Sequence, residues 1–277
     1  MECKETVSGR PGNDAPGAAQ APSDRATGDE SSLTSLRVVA VIPALDEALS
    51  IARVVETLHD QKTVAFHRII VVDNGSSDGT GEIAGRAGAS VVREERRGYG
   101  RACYAGVLAA EEADVIVLLD GDGSDDPEDL SRVLRPLLAG EADLVIGSRA
   151  LGSREPGSMS PQQVFGNRLT ASLIRLLYGV KVSDMGPFRA IWRDDLLALD
   201  MREMTYGWPV EMMVKAIRAD YRYREVPVAY RRRTGGASKV GGNLRASLKI
   251  GWYIIAAVVR YSRWTPEGAG QSPKGSR

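Results

Sequence analysis

Along residues 36 to 148, short apolar runs alternate with longer stretches in which apolar positions recur every three or four residues. The runs LRVVAVI, RIIVV, SVVR, DVIVLL and DLVIG are rich in β-branched residues and bounded by Gly, Pro, Asp or Ser, which predicts buried strands. Between them, EALSIARVVETL, TGEIAGRAG, GRACYAGVLAAEEA and PEDLSRVLRPLL carry helical periodicity. This alternation predicts an α/β domain with a mostly parallel central sheet and helices on both faces. A loop containing Gly, Ser and Pro follows Arg149, then a predicted helix over 162–178, a second set of short elements, and a last helix near 243–262.

In sheets of this kind ligands bind beyond the carboxyl ends of the strands. The polar signatures fall there: PALDE (43–47), DNGSSDGT (73–80), DGDGSDD (120–126) and GSR (147–149). A dinucleotide-binding fold needs G-x-G-x-x-G after its first strand, and PALDE stands in that place instead.

Composition places the 277-residue chain among ordinary globular proteins, at 43% hydrophobic and 26% charged. Residues 1–34 are dominated by Gly, Ala, Pro, Ser, Asp and Glu, which predicts a disordered tail, and a second one is expected at 265–277. The segment 35–240 is expected to form the main domain, and 241–264 an amphipathic C-terminal helix. IGWYIIAAVV (250–259) falls short of the roughly 20 apolar residues that a spanning helix needs. Cys3 and Cys103 are too few and too far apart for a disulfide framework, so a reducing, cytoplasmic setting fits. Net charge is zero but segregated: residues 101–150 carry 4 basic and 11 acidic side chains, and residues 201–277 carry 15 and 5. A basic end suggests an anionic partner, and no nucleic-acid-binding motif accompanies it.

Six acids crowd VLLDGDGSDDPEDL (117–130). Asp126 precedes Pro127, which suits a first helical position, and Glu128 and Asp129 fall in a first turn that favours anions. Asp125 reads as a loop residue or an alternative cap. Asp120 and Asp122 are left immediately after a strand with only a glycine between them, and a hard divalent cation is the usual remedy for such repulsion. An EF-hand loop fails at Asp125 and Ser131, where it needs Gly and Glu. Two carboxylates leave most of a coordination sphere open, which Mg²⁺ or Mn²⁺ completes with water and phosphate oxygens. At the second strand end, Asp78 or Ser77 can cap the following helix, whereas Asp73 has no such explanation.

These pieces in this order, with VSDMGPFRA (182–190), YGWPVEM (206–212), YREVPVAY (223–230) and RTGGASK (233–239) downstream, resemble a family 2 glycosyltransferase of GT-A fold. The nearest subgroup is the dolichyl- or polyprenyl-phosphate sugar synthase-like enzymes. The resemblance implies a nucleotide diphosphate sugar donor, UDP- or GDP-linked, a divalent metal at Asp120 and Asp122, and inversion at the anomeric carbon. It implies that Pro43, Leu45, Glu47 and Asp73 line the nucleoside pocket, with Asp120 at the ribose and metal. Arg149, Arg233, Ser238 and Lys239 resemble phosphate-holding positions. The chain departs from the pattern at Asp46, where Asn is usual, at Ser124, and in the shortened D-M-G-P-F-R.

A hydroxyl acceptor must lose a proton, and Asp184 and Glu211 are the candidate bases beside Asp122 at the leaving group. A phosphate acceptor, with a second pKa near ~6, needs positive charge more than a base. A polyprenyl phosphate is the favoured acceptor, a soluble hydroxyl compound the alternative, and a non-catalytic binding module for anionic lipid or nucleotide the reading of a different class. Arg245, Lys249, Arg260 and Arg263 around the apolar body of the last helix suit a peripheral membrane contact.

Overall fold

The computed structural model of the protein describes residues 36–62, 64–235 and 244–266. Among the described residues seven strands make one sheet: β1 (Val38–Ala44), β2 (Arg68–Asp73), β3 (Ser90–Arg93), β4 (Val115–Leu118), β5 (Leu144–Ser148), β6 (Arg189–Trp192) and β7 (Tyr223–Pro227). Their order is β3-β2-β1-β4-β6-β5-β7. β6 runs antiparallel to both its neighbours, and every other pair is parallel. The mostly parallel sheet expected from the alternation is therefore present, with one reversal supplied by the four residues RAIW.

Helices α1 (Ile51–His59), α2 (Thr80–Arg86), α3 (Tyr99–Ala109), α4 (Leu130–Leu138), α5 (Pro161–Tyr178), α6 (Arg193–Ala198), α7 (Trp208–Arg218) and α8 (Leu244–Arg260) complete the fold. Alternate residues of β1 point to opposite faces, so Val39 and Val41 join one core with α3 and α7, while Val38, Ala40 and Ile42 join another with α1 and α4. Both faces are covered, which is why all seven β1 residues are buried. Ala257 and Val258 of α8, and Tyr261 just beyond it, lie in the same core as Trp208 and Met212 of α7. The last helix thus packs into the domain at its C-terminal end, and Tyr178 at the end of α5 donates to the Val258 carbonyl at 2.6 Å.

Helix α5 starts at a capping box, Ser160 with Gln163, and ends at Gly179, whose φ of 71° suits a residue without a Cβ. None of the described helices is long and apolar enough to cross a membrane.

Candidate active site

The carboxyl end of β4 delivers the acidic run, and the structure sorts it. Asp126 accepts a hydrogen bond from the Glu128 amide at 3.2 Å and opens a 3₁₀ turn over Pro127–Asp129, the cap expected from its place before proline. It also pairs with Arg231 at 2.5 Å. Asp129 accepts from the Ala229 amide at 2.6 Å and so ties the turn to the chain after β7. Asp122 accepts from the Ser124 amide at 2.9 Å. Asp120 accepts from the Tyr99 hydroxyl at 3.1 Å.

Asp125 has the most telling environment. It is buried, its Oδ2 accepts the Asp120 amide at 3.1 Å, and its Oδ1 has no hydrogen-bond partner. Burial pushes its carboxyl up to about 7, against the hydrogen bond from the Asp120 amide and with the help of the Asp122 charge. Asp120 is raised well above the carboxylate range by burial first, then by Asp125 and Asp122, while the Arg149 charge offsets part of the effect. Anionic charge is thus concentrated at one turn with an acceptor atom left over, which is the environment a bound divalent cation relieves. Among the described residues no three His, Cys, Asp or Glu side chains form a metal cage of their own. The donor set fits an ion that takes its remaining ligands from substrate and water.

Two further strand ends are stapled beside it. Asp46, at φ 51°, accepts from the Ser77 amide at 2.8 Å, and its own amide donates to Ser76 Oγ at 3.0 Å. Asp78 accepts from the amides of Ala48 at 3.0 Å and Thr80 at 3.1 Å, and Asp73 accepts from the Ser76 amide at 2.8 Å. Pro43 is buried in β1 and Leu45 is half-buried just beyond it. Glu47 accepts at both carboxylate oxygens from Arg233 Nη2, at 2.8 and 2.9 Å.

Arg233 reaches there because residues 230–235 lie across the acidic turn. The Arg231 amide donates to the Ser124 carbonyl at 2.8 Å and the Thr234 amide to the Asp122 carbonyl at 3.1 Å. Arg233 Nη1 then stands 3.8 Å from Asp122. Glu47, Asp122 and Arg233, distant in sequence, are brought together. Ser238 and Lys239 lie outside the described residues.

On the other side of the turn, Arg149 follows β5 and meets Asp184. Its amide and Nε donate to Oδ2 at 2.7 and 2.8 Å, and its Nη2 to Oδ1 at 2.7 Å. The guanidinium also lies over the Tyr230 ring, 5.0 Å from the centroid. Asp184 is buried and engaged at both oxygens by this bidentate pair.

The second candidate base, Glu211, is enclosed within the domain. It is fully buried in α7, pairs with Lys215 at 2.8 Å, and accepts the amides of Arg202 and Glu203 at 2.9 and 2.6 Å. Its reach into the site is indirect. The segment it holds contains Tyr206, which stacks on Tyr99 with ring centroids 6.2 Å apart, and Tyr99 touches Asp120. Gly100 permits that approach, since a Cβ there would lie 2.1 Å from the Glu203 carbonyl. Sequence reasoning passed over Tyr99 and gave Asp125 only a loop or capping role. The G-Y-G of residues 98–100 was the available signal for the first.

Residues 39–199 match the family model described as glycosyl transferase family 2. The chain belongs to that family. As a glycosyltransferase it is 38% identical to an uncharacterised glycosyltransferase of Mycobacterium tuberculosis, over 76% of this chain and 93% of the relative. It is 32% identical to an undecaprenyl-phosphate mannosyltransferase of Micrococcus luteus, over 83% of this chain and 94% of that one. That relative falls in the subgroup which the motif set resembles. Among solved structures, glucosyl-3-phosphoglycerate synthase from Mycobacterium tuberculosis, in complex with Mn²⁺, uridine-diphosphate and phosphoglyceric acid, aligns with a TM-score of 0.68. The alignment covers 86% of this chain and 82% of that one at 21% identity, and it shows the shared GT-A fold.

Proposed function

We propose that this glycosyltransferase moves a sugar, with inversion, from a nucleotide diphosphate sugar to a polyprenyl phosphate, with Mg²⁺ or Mn²⁺ held by Asp120 and Asp122. The observation that carries the acceptor is the engagement of both candidate bases, Asp184 by Arg149 and Glu211 by Lys215. A hydroxyl nucleophile needs a carboxylate ready to take its proton, whereas a phosphate near neutral pH is already largely ionised and needs cations around it. The likeness to an undecaprenyl-phosphate mannosyltransferase supports the same reading.

The placement of the described residues supports the following roles. Leu45, Glu47 and Asp73, at the ends of β1 and β2, receive the nucleoside, Glu47 and Asp73 offering carboxylate acceptors to a base or ribose. When bound, the divalent ion supplies charge neutralisation at the departing diphosphate. Arg233, already between Glu47 and Asp122, and the flanking Ser238 and Lys239 hold the donor phosphates. Arg149, fixed by Asp184, presents its guanidinium to anionic groups on the β5 side. Asp125 sets the Asp120 backbone from behind.

The test is transfer from UDP- and GDP-hexoses, with Mn²⁺ and a short polyprenyl phosphate in detergent, the anomeric product being read by NMR. One donor giving an inverted lipid-linked product is expected. Transfer confined to soluble hydroxyl acceptors would overturn the acceptor assignment.

A further inference from the structure

Gly98-Tyr99-Gly100 opens α3 beside the acidic turn, and both glycines permit close approach of another backbone segment. A Cβ on Gly98 would lie 2.3 Å from the Met204 carbonyl oxygen, and one on Gly100 would lie 2.1 Å from that of Glu203. The amides of Gly100 and Arg101 donate to the carbonyls of Thr205 and Met204, both at 3.2 Å. From the other side, the Gly98 amide donates to Asn74 Oδ1 at 2.7 Å. Asn74, buried just after β2, also donates through Nδ2 to the carbonyls of Glu94 and Arg96, at 2.8 and 2.9 Å. The chain is therefore fixed on both sides of Tyr99.

This fixing aims the side chain. The Tyr99 ring packs against the core shared by α3 and α7 and is stacked on Tyr206, with 18° between the ring planes. Its hydroxyl donates to Asp120 Oδ1 at 3.1 Å. Asp120 is thereby held at two points, its amide by Asp125 Oδ2 and its Oδ1 by Tyr99. Oδ2 is the oxygen that remains for an ion. A ring needed only to fill the core would serve as well without its hydroxyl, so the hydroxyl is the part that calls for a role.

We propose that Tyr99 is a positioning residue for the divalent ion: it occupies Asp120 Oδ1 and presents Oδ2 as a single ligand oxygen. The proposal rests on Asp120 holding the ion. A partner that hydrogen-bonds a ligating carboxylate fixes its orientation, and its loss costs about 10- to 100-fold in metal affinity.

The experiment is a Mn²⁺ titration of the full chain with UDP or GDP present, free ion being counted by its electron paramagnetic resonance signal. Tyr99→Phe keeps the stacked ring and removes only the donor, and it should weaken Mn²⁺ binding about tenfold or more. Tyr206→Leu keeps the hydroxyl but removes the ring on which Tyr99 rests, and it should weaken binding by a smaller factor, about threefold. With Oδ1 released, the spectrum of the bound ion in Tyr99→Phe should differ from that in wild type, whereas a general loosening of the pocket leaves the ligand set and the spectrum unchanged. Wild-type affinity in either variant, or a wild-type bound-ion spectrum in Tyr99→Phe, would overturn the role of Tyr99 and leave Asp120 as a ligand. Wild type that takes up no Mn²⁺ with either nucleotide would overturn the metal site itself, and the role of Tyr99 with it.

Discussion

Asp125 links the acidic turn to the rest of the site: it fixes the Asp120 backbone, pairs through a β-bridge with Tyr230, and leaves one buried oxygen unpartnered. Its carboxyl, ordinarily at 3.8, is raised to about 7. The native state therefore holds a proton that the unfolded chain releases between those values. The stability this adds is complete below pH ~4 and is lost as pH rises through about 7. Without metal, the melting temperature of the wild type should fall across that window, and Asp125→Asn, which keeps an acceptor for the Asp120 amide, should flatten the fall. Equal pH profiles would contradict this environment. In sequence, Asp125 sits among five other acids and is indistinguishable from a cap. Its partners are a backbone amide and a residue about a hundred positions away, and neither leaves a local mark. Asp126 was legible because proline beside it is a local signal.

At the scale of elements, α7 supports the site from behind. Glu211 and Lys215 are fully buried, and Lys215 also donates to the Asp200 carbonyl at 2.5 Å and lies over the rings of Tyr261 and Trp264. Lys215→Ala leaves a buried carboxylate uncompensated and should cost about 3–5 kcal/mol in a denaturant melt. A cost under about 1 kcal/mol, the range of surface pairs, would mean the pair is solvated. The i, i+4 spacing of Glu211 and Lys215 was present in the sequence and could have marked the helix pair. Other elements read more plainly: β1, β2 and β4 are short β-branched runs ending in polar signatures. Strand β6 did not, because four residues carry no periodicity and its position depends on β4 and β5 on either side.

Across the whole molecule, the segregated charge is partly met within the fold. The acidic stretch 101–150 contributes Asp122 and Asp126, and the basic end lays Arg231 and Arg233 over them. The mostly parallel sheet was legible from alternation alone. The convergence of Glu47, Asp122 and Arg233 was not, since a contact across 186 positions depends on the path of the chain after β7. That convergence makes the central claim a donor site built on Asp122. The most direct measurement is calorimetric titration of wild type and Asp122→Ala with UDP and GDP, each with and without Mn²⁺. The account predicts that one nucleotide binds wild type only when Mn²⁺ is present and that Asp122→Ala abolishes this. Binding that is indifferent to the metal, or equal in the two proteins, would contradict it.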